Sequence, residues 1–227
     1  IDMATMNLTL YNATYNGDSG SVDYYSVNSS CNNNENISAT QANFTCAIEI
    51  HYWYISGEWN LTVGAADFQG VSAENATNFT IQSTTAIVIS PTSLTFPALT
   101  INQENTTSDA DPIRLNNTAN NYIDANNVLV TGLDLIGEED STLAIATGNF
   151  TAGPDTGGSP PLECNATVLV NNTATGITSA SLPAGNRSVS DTGIEDLYIC
   201  LTLVPSGLSA QAYSTLNSST GWTVSVI

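Results

Sequence analysis

The chain has 227 residues, 41% of them hydrophobic but only 10% charged, so its polar surface is built from Asn, Ser and Thr rather than from ions. Its 21 acidic side chains stand against 2 basic ones, Arg114 and Arg187, and the formal charge of −19 repels nucleic acid and anionic lipid alike. That length holds either one large sandwich or two domains with separate cores.

Helical signals are nearly absent, because no window combines apolar spacing of three and four with good helix formers. Short β-rich runs recur instead. In the first part they fall at residues 6–15, 22–27, 43–55, 58–66 and 77–82, separated by turns such as Asn16-Gly17-Asp18-Ser19-Gly20 and Ser56-Gly57. From residue 83 a second set begins, at residues 87–96, 112–120, 128–135, 143–145, 166–170, 198–204 and 222–226, with residues 153–161 read as a loop. The pattern predicts an all-β chain in two parts, residues 1–82 and 83–227. No run reaches the roughly 18 apolar residues of a membrane-spanning helix, and no basic-then-apolar leader opens the chain. With Ile at position 1, the expectation is a mature secreted chain whose signal segment has been removed and which does not insert in a membrane.

Asn-x-Ser/Thr triplets are the strongest signal. Fifteen occur, at Asn7, Asn12, Asn28, Asn36, Asn43, Asn60, Asn75, Asn78, Asn105, Asn116, Asn149, Asn165, Asn171, Asn186 and Asn217. Ser and Thr supply about a quarter of the residues, so roughly six such triplets would arise by chance. Six carry an apolar middle residue: Asn7-Leu-Thr, Asn36-Ile-Ser, Asn43-Phe-Thr, Asn60-Leu-Thr, Asn78-Phe-Thr and Asn149-Phe-Thr. Successive side chains on a strand point to opposite faces, so Asn and Thr are predicted to face solvent while Leu or Phe enters the core. Covalent N-glycans on the outer face of the sheets are the expected modification.

The four cysteines, Cys31, Cys46, Cys164 and Cys200, are widely and unequally spaced, unlike the short pairs that grip zinc. Two disulfides are expected. Cys31 with Cys46 and Cys164 with Cys200 is one of three connectivities, preferred because each bridge then stays inside one part of the chain.

Two stretches carry a resemblance. WNLTVGAADFQG (residues 59–70) followed by NFTI (78–81) resembles the last two strands of immunoglobulin-like domains of prokaryotic surface proteins. The segments IVISPTSLTF (87–96) and PIRLNNTAN (112–120) resemble the opening strands of immunoglobulin-fold modules. More broadly, both halves are similar to uncharacterised secreted proteins of archaea. The resemblance implies two tandem immunoglobulin-like β-sandwich domains at a cell surface and identifies no catalytic site.

Catalytic chemistry finds little to work with. His51 is the chain's only histidine, so a Ser-His-Asp or Cys-His arrangement would have to pass through it. Within Ile48-Glu49-Ile50-His51-Tyr52-Trp53-Tyr54, strand parity sends His51 and Trp53 outward and Tyr52 and Tyr54 inward, leaving Trp53 as the ring available to a partner. Tyr52, Trp53, Tyr54 and Trp59 could together stack on a sugar, though such a cluster more often packs a core. A carboxylate pair suited to glycoside hydrolysis is not legible from one chain. No metal is expected, calcium being the least improbable; its oxygen ligands would come from Asp109, Asp111 and Glu138-Glu139-Asp140, and no Asp-x-Asp-x-Asp-Gly loop is present.

These features predict a non-enzymatic structural subunit of an extracellular, N-glycosylated filament whose partners are copies of itself. A surface-layer, stalk or adhesin module is the alternative, and a secreted binding or hydrolytic domain a third class. In the amino-terminal run Met6, Leu8 and Leu10 alternate with Asn7, Thr9 and Tyr11, so residues 1–15 are expected to act as a donor strand completing a sheet in a neighbouring subunit. Strand exchange of this kind is known in archaeal surface fibres.

Overall fold

The computed structural model describes residues 3–15, 24–38, 41–155, 157–159, 161–185, 189–215 and 220–227, excluding the side chains of residues 3–5, 15 and 36. The described residues form antiparallel β-strands and three short 3-10 helices, with no α-helix. Two compact units result: the first comprises Ile1–Thr84, Ala119–Asn121 and Gly185–Ser190, the second Thr85–Thr118, Tyr122–Ala184 and Asp191–Ile227.

The first unit contains β1 (Met3–Asn12), β2 (Tyr25–Asn28), β3 (Asn32–Ser38), β4 (Gln41–Thr45), β5 (Gly57–Asp67) and β6 (Ser72–Ile81). Its main sheet has the order β2-β1-β5-β6. One face buries Leu10, Tyr54 and Trp59, with Leu61, Phe79 and Ile81 packed against them. Tyr54 stacks on Trp59 at 4.6 Å between ring centroids, and the Trp59 indole N–H donates to the Ile55 carbonyl at 3.0 Å. The β5–β6 turn is set by Asp67, whose Oδ1 accepts the Gln69 and Val71 amides at 2.9 and 2.8 Å, and by Gly70 at φ +83°. Asn120 also belongs to this unit. Its Nδ2 donates to the Tyr54 and Gln82 carbonyls at 3.0 and 2.9 Å, and its Oδ1 accepts the Thr84 amide at 2.8 Å.

The donor-strand expectation is corrected here. β1 is an interior strand, with β2 on one side and β5 on the other; Met6, Leu8 and Leu10 pair with Ala65, Val63 and Leu61 of their own chain. Leu8 is 6% exposed and Leu10 0%. The ladder with β5 runs along β1 from Met3 to Asn12, β2 covers Leu8–Tyr11 on the other side, and the alternate leucines fill the core of their own unit.

β3 and β4 form a separate two-stranded hairpin whose side chains lie mostly in solvent. The polar run NNNENIS is held as a strand because the Cys31–Cys46 disulfide, Cα atoms 4.4 Å apart, closes the hairpin next to the pair Asn32–Thr45. β4 ends at Thr45, well short of the predicted 43–55. The chain then leaves strand geometry and turns at residues 51–54, the Tyr54 amide bonding to the His51 carbonyl at 3.1 Å. Strand parity therefore fails in this stretch: Tyr54 is buried but Tyr52 is 51% exposed.

The second unit is built on β7 (Ile87–Ser90), β8 (Glu104–Thr107), β9 (Ile113–Asn117), β10 (Val128–Thr131), β11 (Leu135–Gly137), β12 (Ala144–Ile145), β13 (Phe150–Gly153), β14 (Thr167–Val168), β15 (Ala174–Gly176), β16 (Ile194–Leu203), β17 (Tyr213–Ser214) and β18 (Thr223–Val226). A six-stranded sheet runs β14-β13-β16-β9-β7, with β8 also on β16; β15-β10-β18 and β12-β11-β17 form smaller sheets. One core joins them. Leu115 of β9, Phe150 of β13 and Leu197, Ile199 and Leu201 of β16 meet Val128 and Val130 of β10, with Trp222, Val224 and Val226 against them. Phe150 meets the Trp222 ring edge to face at 5.2 Å, and the Trp222 indole N–H donates to the Leu133 carbonyl at 2.9 Å. Cys164, in a 3-10 helix spanning Leu162–Asn165, is bonded to Cys200 of β16, and both cysteines are buried. The connectivity confined within each unit is thus the one formed.

The two bridges have different settings, and this predicts different consequences of removing them. Loops of 15 and 36 residues are closed, worth about 3 and 4 kcal/mol in unfolded-chain entropy. Cys164→Ala with Cys200→Ala is expected to lower the thermal midpoint of the second unit by several degrees, measured by calorimetry. Cys31→Ser with Cys46→Ser is expected to raise amide exchange in β3 and β4 while leaving the second unit's midpoint unchanged, since an isolated hairpin without a core is marginal in water.

Candidate functional site

The feature with chemical content is the set of sequon asparagines, and the sheets decide which of them reach solvent. On the main sheet of the first unit, Asn7, Asn60 and Asn78 share one face: Asn60 pairs directly with Asn78, and Asn7 pairs with Gly64 of the Asn60 strand. Leu8, Leu10, Trp59, Leu61 and Phe79 point the other way into the core or its margin. The Asn78 Nδ2 donates to Glu58 Oε1 at 3.0 Å across the strands. Asn43 on β4 and Asn75 on β6 are exposed. Asn28, half-buried at the end of β2, donates Nδ2 to the Ala47 carbonyl and accepts the Ser30 amide at 2.7 Å.

In the second unit Asn165 and Asn171 are exposed, and Asn105, Asn116 and Asn149 are half-buried. Asn171 is tied to Asp134 through Nδ2 to Oδ2 at 3.2 Å; Asp134 Oδ1 also receives the Thr147 amide and hydroxyl at 2.7 and 2.8 Å. That clasp had no sequence signal. Asn186 and Asn217 lie outside the described residues, as does the side chain of Asn36.

Three sequons depart from the expected geometry. Asn12 is 1% exposed and its Oδ1 accepts the Thr14 amide at 2.9 Å, so it is closed to a glycan in this fold. The reason is parity: Asn12 follows Leu8 and Leu10 onto the inward face of β1. In Asn149-Phe-Thr, Thr151 does not face out. It is 2% exposed and donates its hydroxyl to the Glu163 carbonyl at 2.6 Å, because β13 is an interior strand covered by the disulfide-tied 3-10 helix. In Asn36-Ile-Ser, Ile37 is 60% exposed, since the β3–β4 hairpin has no core to receive it.

The aromatic cluster is packed rather than open. The His51 ring stacks on Trp53 at 4.5 Å and 3°, Tyr52 meets Trp53 edge to face at 4.8 Å, and His51 Nδ1 lies 3.5 Å from Glu49 Oε1. Trp53 is thus flanked by its neighbours, and the exposed ring is Tyr52. Among the described residues no group of three His, Cys, Asp or Glu is placed to hold a metal ion. Of the acids considered for calcium, Asp111 faces the Ile199 and Ser108 amides, and Asp140 accepts the hydroxyl and amide of Thr142 at 2.6 and 3.0 Å. No helix among the described residues is long and apolar enough to cross a membrane.

The acids sort into two groups by environment. Burial lifts the Asp111 carboxyl above the ordinary range against its amide hydrogen bonds, and burial likewise lifts Glu195, helped by Asp155 and Asp196. The Thr142 hydroxyl and amide hold Asp140 below that range. A carboxyl whose pKa is raised by folding contributes stability that is full below its unfolded value near 4 and is lost as pH climbs through the folded value. Asp140 works the other way, and only below its ordinary value. The high negative charge adds repulsion that protonation relieves. The thermal midpoint is therefore expected to rise as pH is lowered from neutral towards about 4, and Asp111→Asn to flatten that slope, both read by scanning calorimetry. A midpoint falling over the same interval contradicts this.

The chain matches no family model, no curated protein and no solved structure.

Proposed function

We propose that the chain is a non-enzymatic structural module of an extracellular, cell-surface assembly made of copies of itself, with N-linked glycans on the outward faces of two immunoglobulin-like β-sandwich domains. The observation that carries the reading is the distribution of the sequons. Every sequon asparagine with a described side chain, Asn12 excepted, is exposed or half-exposed, and three share the solvent face of one sheet while their apolar middle residues line the opposite face. Glycans placed this way hydrate a surface that has few charges and shield its backbone from proteases. The packing of His51 against Trp53 and the use of all four cysteines in disulfides support a non-catalytic role. The disulfides also suit an oxidising, extracellular setting.

Two measurements on native material test this. Intact mass spectrometry is expected to give a mass well above 23.8 kDa that collapses to that value on deglycosylation; a native mass at the bare-chain value sinks the reading. Electron microscopy of the native surface is expected to show a regular multi-copy assembly, fibres marking a filament and a two-dimensional lattice a layer. Dispersed monomers would favour a secreted binding or hydrolytic domain instead.

A further inference from the structure

β6 is an edge strand of unusual openness. It pairs with β5 along its whole length, from Ser72 to Ile81, without a break in register, and has no strand on its other side among the described residues. All of its residues except Phe79 and Ile81 are exposed. Such an edge presents alternate N–H and C=O groups to any strand that approaches, the Ala76 amide being held meanwhile by Asn75 Oδ1 at 3.0 Å. Proteins blunt edges with lysine, proline, a bulge, a covering segment or simple shortness. β6 has no lysine, no proline and no bulge. The opposite edge, β2, is only 4 residues long and needs less protection.

What β6 does carry is two sequons, three residues apart. Strand alternation puts them on opposite faces: Asn75 shares its face with Thr77 and Phe79, Asn78 shares its face with Asn60. An added strand would lie about 4.8 Å from β6 in the plane of the sheet, so a sugar on each face straddles its path. The strand is also suited to pairing with itself. An antiparallel two-fold contact centred on Ala76 places that small side chain on the axis, keeps each face continuous, and sets the strand's one charged residue, Glu74, opposite Asn78 rather than another Glu74.

We infer that glycans on Asn75 and Asn78 guard the β6 edge, and that the bare chain pairs β6 with β6 of a second copy. The inference rests on the glycoprotein reading above. In an assembly with a high local concentration of copies, such a guard keeps edges from joining outside the intended contacts.

Sedimentation velocity over a concentration series, at low and raised salt, tests it on the whole chain produced without glycosylation. The bare chain is expected to dimerise, more tightly as salt screens its charge, with amide exchange protection appearing in β6. Ala76→Lys, which sets two ammonium groups together on the axis, is expected to weaken the dimer at least tenfold. In the glycosylating source, Asn75→Gln with Asn78→Gln is expected to dimerise like the bare chain, while glycopeptides at Asn7 and Asn43 remain. A bare chain that stays monomeric, a dimer indifferent to Ala76→Lys, or a double variant that behaves like wild type overturns the guard. Native protein bare at Asn75 and Asn78 but glycosylated elsewhere also overturns it and leaves the glycoprotein reading standing; protein bare at every sequon removes both.

Discussion

The constraint on which the rest depends is the two-residue period of the β-strand. With so few charged side chains, the chain separates inside from outside by alternating Leu, Trp and Phe with Asn and Thr along each strand. In β5 Trp59 is buried and Leu61 packs beside it, while Asn60 and Thr62 take the other face. In β9 Ile113, Leu115 and Asn117 are inward, and Asn117 is tolerated in the core because its amide donates to the Leu182 and Pro183 carbonyls. A register slip of one residue would exchange the two faces, so register and surface chemistry are fixed together.

Alternation was legible where strands are long and paired on both sides. β5 lies within a residue of its predicted bounds at each end, β10 starts where read but stops at Thr131, well short of the predicted 135, and β1 starts earlier and ends earlier than read. The pairing of the cysteines followed from keeping each bridge local. Asn12 carries its own signal too, since it shares parity with Leu8 and Leu10 and therefore faces inward whatever its triplet. Other features had no local signal. The strand NNNENIS depends on a disulfide and a partner strand rather than on propensity, and the short strands β8, β15 and β17 exist through pairing with residues distant in sequence. The return of Ala119–Asn121 and Gly185–Ser190 to the first unit is likewise a property of tertiary contacts.

The aromatic run at 51–54 shows where a period argument stops. Its apolar and aromatic residues read as a continuing strand, but the disulfide at Cys46 and the turn at His51 end the ladder, and ring packing then decides which side chains are covered. β1 shows the complement. An alternating amino-terminal strand fits donation to a neighbour as well as its own sheet, and what separates the two is the intrachain ladder with β5, which no local pattern reveals.

If alternation sorts the sequons, glycan occupancy in the native protein must follow side-chain direction rather than the triplet alone. Site-resolved glycopeptide sequencing measures this directly. The account predicts sugar at the exposed asparagines Asn7, Asn43 and Asn165 and none at Asn12. Sugar on Asn12, or bare asparagine at those exposed positions, would contradict it.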